Sequence, residues 1–328
     1  MMSPYLIRLL CLSFASFFLV YLALSIPSFA FARVAIRLSR RLRARLAARF
    51  LLCLRLGPLV AASLIVVGLC LPSYLLLEPR AAAERIGWIC LVSALAGAAA
   101  WAAAIGRTLG ALAGSHGKMR RCFRQGARLA GVPGRLPVLT VESEAPLLAL
   151  AGLFRSRIVV SRGVLRALSP EELRAAFDHE QAHGTSRDNL KRLLLLLAPD
   201  PIPFFPLLGS LERCWARVAE WAADDRAAAG DSRRSLSLAA ALVRVARLGA
   251  PARPVPTLMA TLVGSEAEEL SARVDRLLGP APPCEGLGGP LRAAASSLAL
   301  GASLLLAALI LQPGMLDAVH RLLEHLVR

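Results

Sequence analysis

The residues best suited to chemistry lie together in mid-chain as His179-Glu180-Gln181-Ala182-His183. Histidines four positions apart on a helix project from one face, so both imidazoles can reach a single point. Two nitrogen donors, a carboxylate and one open position suit zinc, one ion per chain. Glu180, beside the first histidine, can take a proton from water at that point and later deliver it to a leaving amine. The chain has only five histidines, and two fall at this spacing around a glutamate. The bland alternative is a pair of solvated or core histidines on an ordinary helix. A third ligand is needed, and Glu220 is the candidate, in Glu220-Trp221-Ala222-Ala223-Asp224-Asp225. Asp224, one turn on, would hold a ligating histidine in the right tautomer. The competing reading of Glu220 is a solvated helix carboxylate, and for Asp225 that reading is preferred.

Such a site needs a helix to carry it. Ser169-Pro170-Glu171-Glu172 is a strong helix start: Ser169 as N-cap, Pro170 in the first turn, and Glu172 placed to close a capping box. Leu136 to Val141 and Arg157 to Ser161 are short and rich in β-branched residues, and both read as strands. Pro201, Pro203 and Pro206 make 199–207 a loop, one that could dip into a membrane surface. Helices are predicted over roughly 211–229, 235–247 and 266–278, and the Pro/Gly-rich 279–290 reads as a linker. No internal repeat is visible.

The surroundings are apolar. Hydrophobic residues make up 56% of the 328, and the mean hydropathy is +0.57. They fall in blocks, four of them long enough to span a bilayer: roughly 9–32, 56–77, 86–105 and 293–312. The first could instead be a signal peptide ending near Ser28-Phe29-Ala30, but its apolar run is too long and the arginines behind it argue for an uncleaved span. The net charge of +17 would suit nucleic-acid binding, yet much of it is arginine between two apolar blocks: Arg33, Arg37, Arg40, Arg41, Arg43, Arg45, Arg49 and Arg55. Juxtamembrane arginine sets topology and binds anionic lipid headgroups, so this 33–55 loop is assigned to the cytoplasm and no direct nucleic-acid contact is expected. The expected organisation is a membrane domain over 1–113, a cytoplasmic domain over 114–290, a fourth span over 291–312 and an external tail over 313–328. Both termini would then face outward across an inner membrane. The tail places Leu316, Val319, Leu322, Leu323 and Leu326 at helical spacing and should lie on the membrane surface, with a sensor role the minority alternative. The seven cysteines form no CxxC pair and read as small buried apolar residues rather than a disulfide or zinc framework.

Several stretches together resemble the BlaR–MecR-type antirepressor metallopeptidases. They are Ser169 to Leu173, His179 to His183, Arg187-Asp188-Asn189-Leu190, the Pro-interrupted apolar segment, Glu220 with Asp224, and Leu270-Ser271-Ala272-Arg273-Val274, in the family's order. The resemblance covers most of 1–312 and is densest over 137–230. It implies a mainly α, polytopic membrane protein whose cytoplasmic gluzincin-like α+β zinc-peptidase domain sits between the third and fourth of four spans. It also implies zinc on His179, His183 and Glu220, with Glu180 as catalytic base. The related HtpX and CAAX-prenyl-protease family shares the same core logic. Gln181, where an apolar residue is usual, and Asp178 depart from the pattern without removing a ligand. No penicillin-binding sensor domain is expected after the fourth span, and direct β-lactam sensing is not expected either.

The expected function is hydrolysis of peptide bonds in a cytoplasmic regulatory protein, such as a transcriptional repressor. The alternatives are an HtpX-like protease of membrane-protein quality control and a non-catalytic membrane scaffold. Substrate would lie extended along an edge strand, with 157–161 as the candidate. Arg273 is a candidate for substrate or oxyanion contact, with a salt bridge as its commoner fate. Arg187 and Asp188 are expected to tie a helix end to its neighbours.

Overall fold

The computed structural model describes residues 4–78, 86–129, 131–132, 134–201, 206–249, 260–262, 267–279 and 312–327. It is mostly helical. The N-terminal part is built from α1 (Pro4–Ser39), then α2 (Ala44–Ile65) continued by a π-helical turn (Val66–Cys70) into α3 (Leu71–Leu77), then α4 (Trp88–Gln125). Three stretches within it are apolar and long enough to cross a membrane: Tyr5–Ser39, Ala44–Leu77 and Trp88–Arg124. Each has at least 34 residues, well beyond the roughly 20 that a bilayer requires, so their ends must emerge from the apolar slab. Small residues let them pack closely. At Gly97 of α4 an added Cβ would lie 2.7 Å from the Phe14 carbonyl oxygen of α1. The predicted fourth span, 293–312, lies outside the described residues except for its last residue, Gln312, as does most of the predicted linker.

The arginine-rich 33–55 stretch is not a loop. It is the end of α1, a short turn, and the first half of α2. The physical reason is composition: the stretch has no glycine or proline, and arginine is among the better helix formers. Between the arginines, Ala32, Ala35, Ala44, Ala47, Ala48 and Leu51 make a buried face.

Five described strands form one sheet: β1 (Ala127–Arg128), β2 (Val138–Val141), β3 (Leu148–Ala151), β4 (Arg157–Ser161) and β5 (Ala260–Thr261), in the order β1-β2-β4-β3-β5. β2 runs parallel to β4, and the remaining neighbours are antiparallel. This overturns the expected substrate edge at 157–161. β4 is paired along its length by β2 on one side and β3 on the other, so its backbone groups are spent inside the sheet. α4 leads straight into the sheet, and its last turns place Met119, Cys122 and Phe123 against Val141, Ala149, Ala151 and Val159.

Against the other face lies α6 (Pro170–Ser186), reached through the short α5 (Arg162–Ala167). Its start is as the sequence implies: Ser169 Oγ accepts from the Glu172 amide at 3.3 Å, and Glu172 Oε2 accepts from the Ser169 amide at 2.9 Å. Ala175, Ala176 and Phe177 enter a core with Leu148, Leu150, Ile158 and Val160 of the sheet and Leu238 and Leu242 of α9 (Ser232–Arg247). α7 (Asp188–Leu197) follows α6 directly. α8 (Pro206–Ala228) begins inside the predicted loop, where Pro206 needs no intrahelical donor. Leu211, Trp215, Val218 and Ala219 of α8 pack onto the arginine-flanked face of α1 and α2. α10 (Ala267–Leu278) closes the domain. The C-terminal helix α11 (Pro313–Val327) docks on the spans: Ser73 Oγ donates to the Leu316 carbonyl at 2.9 Å, and Leu323 is buried among α1, α3 and α4.

Candidate metal centre

α6 presents His179, Glu180 and His183 with no exposed surface at all. The two Nε2 atoms stand 3.1 Å apart, and Glu220 Oε2, arriving from α8, is 3.5 Å from each. A point equidistant from these three atoms lies about 2 Å from each, the length of a zinc bond to imidazole nitrogen or carboxylate oxygen. Both Glu180 oxygens find no hydrogen-bond partner among the described residues, and Glu220 Oε2 has only an ion pair to Arg273 Nη1 at 3.4 Å beside the two imidazoles. Buried carboxylate oxygens are costly in that condition, and a cation beside them with its water removes the cost. The donor set therefore fits zinc.

Each histidine is oriented from behind. His179 Nδ1 is 2.9 Å from Asp224 Oδ1, and His183 Nδ1 is 2.8 Å from Asp188 Oδ2. With Nδ1 facing a carboxylate, each ring turns Nε2 toward the shared point. Asp224 thus stands where the sequence placed it. Asp188 does more than tie a helix end, as expected, and its part depends on a backbone break. On an unbroken helix, residue i+5 lies on the far side from residue i. Arg187 adopts φ 55°, ψ 43°, ending α6 and starting α7, and this left-handed residue folds Asp188 back onto His183. A glycine would have signalled the break, and an arginine conceals it. Asp188 is itself held by Lys191 Nζ at 2.7 Å, while Asn189 donates to the carbonyls of Leu150 on β3 and Gly152 just after it.

Arg273 is an ion-pair partner. It is 5% exposed, donates through Nε and Nη2 to both oxygens of Asp224 at 2.9 and 2.7 Å, and through Nη1 to the Leu262 carbonyl at 2.7 Å. The salt bridge expected as its commoner fate is present, and Nη1 also stands 3.4 Å from Glu220 Oε2. Glu220 is steadied by Arg192, whose Nη2 donates to Oε1 at 3.2 Å and leaves Oε2 toward the histidines. Asp225 faces outward and pairs with Arg276. Gln181 points away from the centre, where its Oε1 accepts from the Arg135 amide at 3.0 Å. Asp178 is half-buried, and that burial raises its carboxyl against the pull of Arg174 and Arg234.

The local field is acidic. Burial alone would lower the His183 imidazole, but Glu220 and Asp188 override it and raise it to about 10. His179 is raised too, as Asp224 and Glu220 outweigh its burial. Burial would raise Glu220, yet His183, His179 and Arg273 hold it well below the usual carboxylate range. Asp224 falls to about 2, its burial outweighed by Arg273 and His179. Glu180, unlike the carboxyls of Glu220 and Asp224, moves up, to about 7, because burial outweighs the neighbouring imidazoles and Arg273. The site thus favours a cation and keeps one carboxyl poised near neutrality, as a group that both accepts and donates a proton must be.

Asp188→Asn keeps the shape behind His183 and removes the charge. Zinc affinity, read by competition with a chromogenic chelator, should fall by about 10- to 100-fold, the usual cost of losing such a partner. Unchanged affinity would mean that Asp188 does not tune the ligand.

A family model described as peptidase family M48 matches residues 115–252. That span contains α6, α7 and α8 with His179, Glu180, His183, Asp188, Glu220 and Asp224, and it stops short of Arg273. A search of curated proteins finds no match.

Proposed function

We propose that the chain is a membrane-bound, zinc-dependent endopeptidase. The carrying observation is the convergence of His179 Nε2, His183 Nε2 and Glu220 Oε2 on one point beside the unpartnered carboxyl of Glu180. The family-model match over the same helices supports it. Zinc held there supplies Lewis acidity that makes water nucleophilic near neutral pH and polarises a carbonyl. Glu180 accepts the attacking water's proton and hands it to the leaving amine. Asp188 and Asp224 hold the imidazoles still. Substrate lies extended along β5, an outer strand of the described sheet; Leu262, just after it, is tied to Arg273 at the centre.

The arginine distribution supports a peptidase domain on the cytoplasmic side of an inner membrane, both termini outside, with anionic headgroups near the arginine-rich helix ends. The favoured substrate is a cytoplasmic regulatory protein such as a repressor, as in the BlaR–MecR-type resemblance. A second reading, HtpX-like trimming of membrane proteins, is favoured by the packing of α8 on α1 and α2, which keeps the centre close to the bilayer. A non-catalytic scaffold is disfavoured by the intact ligand set. Substrate trapping in membranes separates them. Proteins captured by Glu180→Gln but not by His183→Ala should be cytoplasmic regulators on the first reading and membrane proteins on the second. Identical captures by both variants would count against an endopeptidase.

A further inference from the structure

Arg55 is the last of the arginines on α2, at the edge of its apolar stretch, yet its side chain is only 2% exposed. A buried charge is costly unless its partners are in place, so the groups around it carry the argument. Four of its five N–H donors have partners given by the structure. Nε donates to Glu212 Oε1 at 2.9 Å, Nη1 to Tyr21 Oη at 3.1 Å, and Nη2 to the Ala198 carbonyl at 3.3 Å and to Asp200 Oδ1 at 2.9 Å. Two further groups reach the same loop. Tyr21 Oη donates to the Pro199 carbonyl at 2.7 Å, and Arg107 of α4 reaches the Ala198 carbonyl at 3.3 Å and Asp200 at 3.1 Å.

Three of the long apolar helices therefore converge on Ala198 to Asp200, where α7 ends, and one of them, through Arg55, also holds Glu212 in the first half of α8. The other end of α7 carries Asp188 against His183. Glu220 lies about two turns beyond Glu212 on α8. Between these pinned points, Arg192 of α7 donates to Glu220 of α8. The spacing of α7 and α8 at the Arg55 end thus governs whether Arg192 meets Glu220, and with it the position of Oε2 beside the two imidazoles.

We propose that Arg55 is a positioning residue for the metal centre, clamping α7 and α8 to the membrane helices so that Glu220 stays at ligating distance. The proposal rests on the metallopeptidase reading of that centre. A lysine cannot replace the clamp, because one ammonium does not present the planar fork that joins Glu212 to Asp200 and Ala198. Any shift of α1, α2 or α4 reaches Glu220 through the same contacts.

The test uses the full chain in lipid nanodiscs, comparing wild type with Arg55→Lys, Glu212→Gln and the exposed control Arg166→Gln. Zinc affinity is measured by chelator competition, and amide hydrogen exchange is followed on the zinc-free protein. Arg55→Lys and Glu212→Gln should each lower zinc affinity by about tenfold, the low end for a residue acting behind a ligand. Both should speed exchange across 188–197 and 206–228 with unchanged circular dichroism, while Arg166→Gln matches wild type. Glu212, whose side chain is 35% exposed, carries the test if Arg55→Lys fails to fold. Wild-type affinity in Glu212→Gln, or full rescue by lysine at position 55, would overturn the clamp. A wild type that binds zinc no better than His183→Ala would instead overturn the metallopeptidase reading and the clamp with it.

Discussion

Glu180→Gln should abolish peptide hydrolysis while leaving zinc in place. The substitution is nearly isosteric, and neither Glu180 oxygen belongs to the set of three donors within ligand reach of one another. What it removes is a buried carboxyl beside the ligands, the group placed to take a proton from water and give it back. A positioned general acid–base contributes roughly 10²- to 10⁴-fold, so turnover should fall by at least two orders of magnitude. The measurement is cleavage of a trapped substrate, or of a peptide from it, alongside metal analysis of the same preparation. Wild-type turnover in this variant would remove Glu180 from the reaction.

His183→Ala should act one step earlier, on the metal itself. It deletes one of three donors and leaves Asp188, 3% exposed, facing a cavity in place of an imidazole. Losing a partner behind a ligand costs about 10- to 100-fold in affinity, so losing the ligand should cost more than the top of that range. Activity should vanish with the metal. His116, exposed on α4 and outside the centre, supplies the control: His116→Ala should bind zinc as wild type does. Equal zinc in wild type and His183→Ala would show that bound metal sits elsewhere.

The difference between these two substitutions, metal kept in one and lost in the other, follows from five adjacent residues that are legible in the sequence. Helical spacing alone puts His179 and His183 on one face, and the Ser169–Glu172 box is a local signal that local chemistry honours. Glu220 and Asp224 were legible for the same reason, one turn apart on a second helix. What escaped was non-local. β3 reads Leu148-Ala149-Leu150-Ala151, without a β-branched residue, and is a strand because all four positions are buried between neighbours rather than by propensity. Asp188 was hidden by an arginine in a left-handed turn. Arg55 looked like one more headgroup-facing charge because Glu212 and Asp200, which neutralise it, lie far along the chain. The position of β4 inside the sheet depends on pairing order, which strand composition does not encode.

The run of α4 from Trp88 to Gln125 has a consequence for how a substrate meets this protein. It passes unbroken from the apolar region to the sheet, with Phe123 and Met119 wedged against the strands, while α8 rests on α1 and α2. A domain mounted on struts cannot swing out to sample its surroundings as one on a flexible tether can. Its reach is fixed, like a tool bolted at one height above a bench. Cleavage should then be governed by how far a scissile bond stands from the bilayer surface, and a substrate brought to that surface gains by searching in two dimensions rather than three.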